Sequence, residues 1–265
     1  MKYLFDHWGS VEQKLKRANR LLLLLDYDGT LTPIVRRPQQ ARLDRQTKKW
    51  LRRTARLPRV TVAIVSGRAL SDVSNLVSLR NVYYAGNHGL EIRAGKRKFV
   101  HPIALQARST LRTIARQLKR ALRDVSGATV DDKELTLSVH YRRVKRGQIG
   151  SVKQRLMSVL QPFLSNSSVR TTKGKKVIEV RPNTGWNKGH AVGWLMKTFG
   201  NRPPFPVFIG DDITDEDAFR RLRRKGLTVH VGKRSSSHAE YYVRGTEDVC
   251  DLLRSICELR RNSVR

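Results

Sequence analysis

The sequence predicts an α/β protein in two pieces: a Rossmann-like core with a mostly parallel sheet and helices on both faces, and a smaller inserted α/β unit with an antiparallel sheet and two helices. Three observations carry this. Leu21-Leu22-Leu23-Leu24-Leu25 is an unbroken apolar run, as expected of a strand buried on both faces, and it stops at Asp26-Tyr27-Asp28-Gly29-Thr30. Further β-branched runs alternate with helical patterns at both ends of the chain, as in βαβ units. Between 105 and 182 the order changes to α-β-β-α-β-β, which suits an antiparallel sheet with its helices on one face.

Taken in order, residues 10–20 read as an amphipathic helix leading into a strand over 21–26. Residues 44–56 read as a helix with Asp44 as its N-cap. Thr61–Ser66 is a strand ending at Ser66-Gly67-Arg68, and Ala69–Val77 a short helix. Val82–Ala85 is a strand ending at Gly86-Asn87-His88-Gly89. Residues 106–125 carry Leu111, Ile114, Leu118, Leu122 and Val125 at helical spacing, with Arg108, Arg112, Arg116, Arg120 and Arg123 down another side. Strands are expected at Ala128–Asp132 and Glu134–Arg142. A helix follows through Val152, Leu156, Val159, Leu160 and Phe163, then strands at Ser168–Thr172 and Lys175–Arg181. After Pro182 the first pattern resumes. Asn187-Lys188-Gly189 opens a helix, Pro206–Ile209 is a strand ending at Gly210-Asp211-Asp212, and a helix runs from about Glu216 to Arg224. Leu227–Val231 is a strand and Thr246–Leu259 the last helix. The expected division is therefore 1–104 with 183–265 as the core and 105–182 as the insertion. Hinges are expected near Ala104–Gln106 and Arg181–Thr184.

Composition narrows the class. At 39 % hydrophobic and 29 % charged residues the chain is globular rather than disordered. No apolar run approaches the length of a membrane span, and the N-terminus lacks a secretory apolar segment, so a cytoplasmic protein is expected, without a membrane partner. Lys and Arg number 54 against 22 Asp and Glu, a formal net charge of +32. The cations are dispersed, with no helix-turn-helix, zinc-finger or aromatic RNA-binding pattern. The reading is a solvated arginine-rich surface that attracts phosphorylated small molecules and binds nucleic acid only non-specifically. Cys250 and Cys257 are two helical turns apart, about 10 Å along the axis, too far for a disulfide.

The chemistry centres on the strand ends. Side chains two apart on an extended segment point the same way, so Asp26 and Asp28 crowd one spot and need a cation or a shared proton. Acidic residues from 26–28 and 211–215 would converge at the C-terminal edge of the sheet, where open α/β sheets place their sites. An all-oxygen cluster of this kind suits Mg²⁺. A hydroxyl, a Lys and exposed backbone N–H groups would complete a phosphate cradle. In the insertion, alternation puts His140, Arg142, Glu179 and Arg181 on the face opposite the apolar one, a set suited to a hydroxyl-rich ligand.

Asp26-Tyr27-Asp28-Gly29-Thr30, Ser66, Lys188 and the Asp211, Asp212, Asp215 cluster, in this order, resemble the four motifs of the haloacid dehalogenase superfamily of phosphatases. The insertion resembles that superfamily's C2-type cap. The resemblance implies a nucleophile at Asp26, an acid–base group at Asp28, and phosphoryl contacts from Ser66 and Lys188. It implies Mg²⁺ held by Asp26, the backbone carbonyl of Asp28 and Asp211, with Asp212 and Asp215 orienting waters or Lys188. Gly86-Asn87-His88-Gly89-Leu90-Glu91, Ser66-Gly67-Arg68, Ser138–Arg142 and Glu179–Pro182 resemble segments of the trehalose-6-phosphate phosphatases. That narrower resemblance implies a trehalose-6-phosphate hydrolase with an aspartyl-phosphate intermediate. It implies substrate contacts from Gly67, Arg68, His88, Glu91, His140, Arg142, Glu179 and Arg181. The partner expected is thus a small sugar phosphate, and the protein is expected to act as a monomer. The same chemistry on sucrose phosphate or mannosyl-phosphoglycerate is the alternative, and a nucleic-acid-binding protein on this fold is the alternative from another class.

Overall fold

A computed structural model describes residues 1–35, 38–174 and 176–262, in two compact units. One comprises Met1–Phe99 and the chain from Trp186 onward, the other Val100–Gly185.

In the first unit, β1 (Lys2–Tyr3) and α1 (Trp8–Arg17) lead into β2 (Leu21–Leu25), whose five leucines are all buried. Alternate side chains of a strand face opposite ways. Leu21, Leu23 and Leu25 enter one core and Leu22 and Leu24 the other, which is why the sequence shows no polar alternation here. α2 (Arg45–Thr54) starts at Asp44, whose Oδ1 accepts from the Gln46 and Thr47 amides at 2.8 and 2.9 Å. Although burial works the other way, these bonds hold the Asp44 carboxyl below its usual range. Asp44→Ala is expected to cost about 1 kcal/mol in urea melts at neutral pH. A lowered folded-state pKa stabilises above the unfolded value, so the gap between wild type and variant should close as pH falls below about 4.

β3 (Val60–Val65), α3 (Leu70–Val77) and β4 (Val82–Gly86) follow as expected. The sequence reading missed β5 (Glu91–Ala94), which pairs antiparallel with β4, and β6 (Arg97–Val100) beside it. β6 is mostly exposed, so it lacks an apolar run, but Gly95-Lys96 between the two is a turn signal.

The second unit contains α4 (Pro102–Gln106), α5 (Arg108–Ala121), β7 (Thr129–Asp132), β8 (Leu137–His140), α6 (Ile149–Ser165), β9 (Val169–Gly174) and β10 (Val177–Pro182). Its sheet runs β7-β8-β10-β9. Leu137, Val139, Ile178 and Val180 pack under Leu111, Ile114 and Leu118 of α5 and Val152, Leu156 and Leu160 of α6. The α5 face away from this core exposes Arg112, Arg116, Lys119 and Arg120 to solvent. The unit is wider at both ends than 105–182. Ala104–Gln106 lies within α4 and does not form a hinge loop, and the Asn183 amide ties the other end to Ser168 O at 3.3 Å. Lys175, expected to open the fourth strand, lies outside the described residues.

The first unit resumes with α7 (Lys188–Lys197), β11 (Phe205–Gly210), α8 (Glu216–Leu222), β12 (Leu227–Val231), β13 (Tyr241–Val243) and α9 (Thr246–Asn262). Its nine-stranded sheet runs β1-β13-β12-β11-β2-β3-β4-β5-β6, parallel from β1 to β4. Helices α1, α2, α3 and α9 supply one core and α7 and α8 the other, so both faces are covered. Leu25 is in register with Ile209 on one side and Ile64 on the other. Asp26, Ser66 and Asp211 therefore leave the sheet along the same edge. Cys250 is half-buried, Cys257 buried, and neither forms a disulfide. Among the described residues no helix is long and apolar enough to cross a membrane.

Candidate active site

Asp26 is 5 % exposed at the end of β2. Its amide donates to Ile209 O at 2.9 Å, and its Oδ1 accepts from the Tyr27 amide at 2.7 Å. Its other oxygen meets Lys188 Nζ at 2.9 Å, and the same ammonium reaches Asp215 Oδ1 at 2.7 Å. Asn187 places that lysine by capping α7 through its side chain, which accepts from the His190 amide. Asp215 Oδ2 accepts from the Asp212 amide at 2.9 Å. One carboxylate oxygen each of Asp26, Asp211 and Asp215 lies within 4.8 Å of the others. Gly29 has φ +84°, and a Cβ there would sit 2.2 Å from Asp211 Oδ2, so the turn after Asp28 must be glycine for Asp211 to close in.

Burial pushes the Asp26 carboxyl up, to about 8, against the pull of Lys188 and with a push from Asp215. Burial disfavours the charge on Lys188, but Asp215 and Asp26 outweigh it and its pKa is raised. Ionised together, the three carboxylates would exceed the one ammonium by two charges in a pocket of oxygen donors. That is the charge and donor set a hard divalent cation neutralises, so the residues fit one.

Asp28 lies apart from this cluster in its contacts. Both its oxygens accept from Arg68, Nε to Oδ2 and Nη2 to Oδ1, each at 2.7 Å. Arg68 also reaches Asp72 Oδ2 at 2.8 Å and lies over the Tyr27 ring, 5.3 Å from its centroid. Ser66 is buried, and its Oγ accepts from the Arg68 amide at 3.2 Å. The Ser66-Gly67-Arg68 turn is laced to the next loop: His88 N donates to Ser66 O at 2.9 Å and Asn87 N to Arg68 O at 2.7 Å. Asn87 and His88 both take positive φ, at 49° and 58°, a strain this lacing sustains. The His88 ring lies where a Cβ on residue 67 would go, 2.6 Å away, which fixes Gly67.

Several expected substrate contacts have other partners here. Arg68 holds Asp28 and Asp72. Glu91 Oε1 accepts from the Leu70 amide and Asn87 Nδ2, each at 2.8 Å, and so anchors the start of α3. In the second unit, Glu179 pairs with Arg181 two residues along the same face, and Val177 brings His140 onto that face by register. Burial lowers the His140 pKa, aided by Lys133, so the imidazole is neutral at pH 7. β8 ends at His140, because the Tyr141 amide donates to Lys176 O and the chain then turns. Arg142 is therefore exposed beyond the strand rather than on its face. Lys133, read in sequence only as a spacer between strands, meets Glu179 at 3.7 Å and joins the polar group. Asp215, expected to orient Lys188 or waters, does bind Lys188, and one of its oxygens also lies within 4.8 Å of those of Asp26 and Asp211.

A parallel sheet with acidic loops at one edge and an inserted α/β unit defines the haloacid dehalogenase-like class. A haloacid dehalogenase-like hydrolase from Bacteroides thetaiotaomicron shares the fold at TM-score 0.61 and 17 % identity, over 90 % of this chain and 100 % of that one. The trehalose-phosphatase family profile matches residues 24–247. The chain belongs to the trehalose-phosphatase family, whose members are phosphoric monoester hydrolases. It is 34 % identical over 259 residues to a trehalose 6-phosphate phosphatase of Zea mays, covering 91 % of this chain and 70 % of that protein. The C-terminal domain of a C. albicans trehalose-6-phosphate phosphatase superposes at TM-score 0.81 with 25 % identity, over 95 % of this chain and 97 % of that one.

Proposed function

We propose that the protein is a Mg²⁺-dependent phosphatase that hydrolyses trehalose 6-phosphate to trehalose and inorganic phosphate. The observation that carries this reading is the meeting of Asp26, Asp211 and Asp215 with Lys188 at the ends of β2 and β11. An Asp26 oxygen attacks phosphorus, the bond to the sugar oxygen breaks, and an aspartyl-phosphate forms. Asp28 gives a proton to the departing oxygen. It then takes one from a water, which attacks phosphorus, releases inorganic phosphate and restores Asp26. Lys188 and Ser66 hold the phosphoryl oxygens. Asp26, Asp211 and the Asp28 main-chain carbonyl would hold Mg²⁺, which supplies charge neutralisation for the phosphoryl group. Asp215 and Asp212 orient Lys188 and waters.

The substrate assignment is supported by the names of the relatives and by the polar face of the second unit. A neutral His140 both donates and accepts, Glu179, Arg181 and Lys133 add acceptors and donors for sugar hydroxyls, and Arg142 adds a further donor beyond the end of the strand. We take the second unit as the cap that reads the sugar. Phosphate release from a panel of sugar phosphates tests the assignment. Trehalose 6-phosphate is expected to exceed sucrose 6-phosphate and glucose 6-phosphate in kcat/KM by about tenfold or more. Activity should vanish in EDTA and return with Mg²⁺. Equal turnover of another sugar phosphate, or full activity in EDTA, would contradict the assignment.

A further inference from the structure

We propose that Arg68 is a positioning residue for proton transfer, acting on Asp28 rather than on the substrate. This rests on the reading of Asp28 as the acid–base group. The side chain of Asp28 is 41 % exposed and would otherwise sample several rotamers. Proton delivery needs a carboxyl oxygen aimed at one place, first at the leaving sugar oxygen and then at water. The Arg68 fork supplies that aim through two 2.7 Å bonds.

Beyond the Asp28 fork the guanidinium is held on two sides, by Asp72 at its Nη1 and by the Tyr27 ring under its plane, while the main-chain amide of Arg68 donates to Ser66 Oγ and fixes the turn that carries it. Tyr27 is fully buried, with its hydroxyl donating to Ala41 O at 2.9 Å. Arg68 is 7 % exposed, so burial costs it solvation, yet the pairs with Asp28 and Asp72 raise its pKa and keep it charged. When Nη2 releases Oδ1 so that a proton can move, Nε still grips Oδ2, and Asp72 and Tyr27 keep the guanidinium in place. A lysine could not divide itself between both Asp28 oxygens and Asp72 in this way.

The test separates the two roles by leaving group. A sugar alkoxide must be protonated as it departs, whereas p-nitrophenolate leaves as an anion. Arg68→Gln is expected to slow phosphoenzyme formation from trehalose 6-phosphate, followed by rapid quench in a single turnover, by about 10²-fold, to slow the first-turnover burst of p-nitrophenolate from p-nitrophenyl phosphate by less than about fivefold, and to leave KM for the sugar phosphate within about twofold. Asp28→Asn should show the same selectivity at larger amplitude, and millimolar guanidinium should partly restore Arg68→Ala. Asp72→Asn, at a side chain 48 % exposed, should show the pattern at about threefold and covers the case in which Arg68 variants misfold.

A raised KM with equal losses on both substrates would make Arg68 a substrate contact and overturn the inference. So would a faster Arg68→Gln enzyme, which would make the pair a restraint. If Asp28→Asn is selective and neither Arg68→Gln nor Asp72→Asn is, the inference alone fails. If Asp28→Asn shows no selectivity, the acid–base reading fails and takes the inference with it.

Discussion

Asp26→Asn should abolish turnover, with kcat down on the order of 10⁴-fold or more, while the protein stays folded. An amide oxygen cannot displace an alkoxide from phosphorus, and no second carboxylate stands ready in its place. Asp211 packs against Gly29, and Asp215 is engaged at both oxygens by Lys188 and the Asp212 amide. The expected stability change runs the other way. Asp26 is buried beside Asp215, and without a cation each raises the cost of charging the other. Replacing one buried anion by an isosteric amide relieves that repulsion, so the Tm of the variant in EDTA should match or exceed that of the parent. A variant that keeps its turnover would show that the nucleophile lies elsewhere.

Lys188→Met should cost both activity and stability. The ammonium is 1 % exposed and bridges Asp26 and Asp215 at 2.9 and 2.7 Å. Removing it leaves two buried carboxylates facing each other without compensation, a change that costs about 3–5 kcal/mol when one member of a buried pair is lost. Loss of a donor to the phosphoryl oxygens should lower kcat by about 10²–10³-fold. Urea melts in EDTA measure the first effect and steady-state kinetics the second. Asp26→Asn placed in the same chain should recover part of the stability and none of the activity, because the two residues touch and their effects are not additive. Equal stability of Lys188→Met and the parent would mean that the bridge is not a structural element.

The strands that build the active edge were legible because burial on both faces leaves a plain apolar run, as at Leu21–Leu25, and because each run ends in residues of a different chemical type. The residues of the cluster could be named from motif order, since Asp26 and Asp211 each follow directly on a strand or its last residue. Their meeting could not be read from spacing alone. It depends on β11 lying beside β2, a pairing of distant segments that no local pattern records and that the register Leu25 to Ile209 realises. Partner choice was the least legible part. The resemblance marks Arg68 as a substrate contact, and in the structure its fork meets Asp28, forty residues away. The resemblance likewise marks Glu91 as a sugar contact, and in the structure it accepts from the amide of Leu70. Single side-chain pairings across a fold leave no periodic trace in a sequence. The edge strand β6 escaped because an exposed strand has no apolar period to show, and β5 because its four residues offer only two apolar positions, Ile92 and Ala94.

Trapping the phosphoenzyme tests the central claim most directly. Enzyme in excess is mixed with trehalose 6-phosphate and Mg²⁺, quenched in acid within the first turnover, digested, and the phosphorylated peptide sequenced by mass spectrometry. The account predicts a hydroxylamine-labile acyl phosphate on Asp26 that forms and decays before inorganic phosphate reaches its plateau. A phosphate carried by any other residue, or a complete turnover with no phosphoenzyme at all, would contradict it.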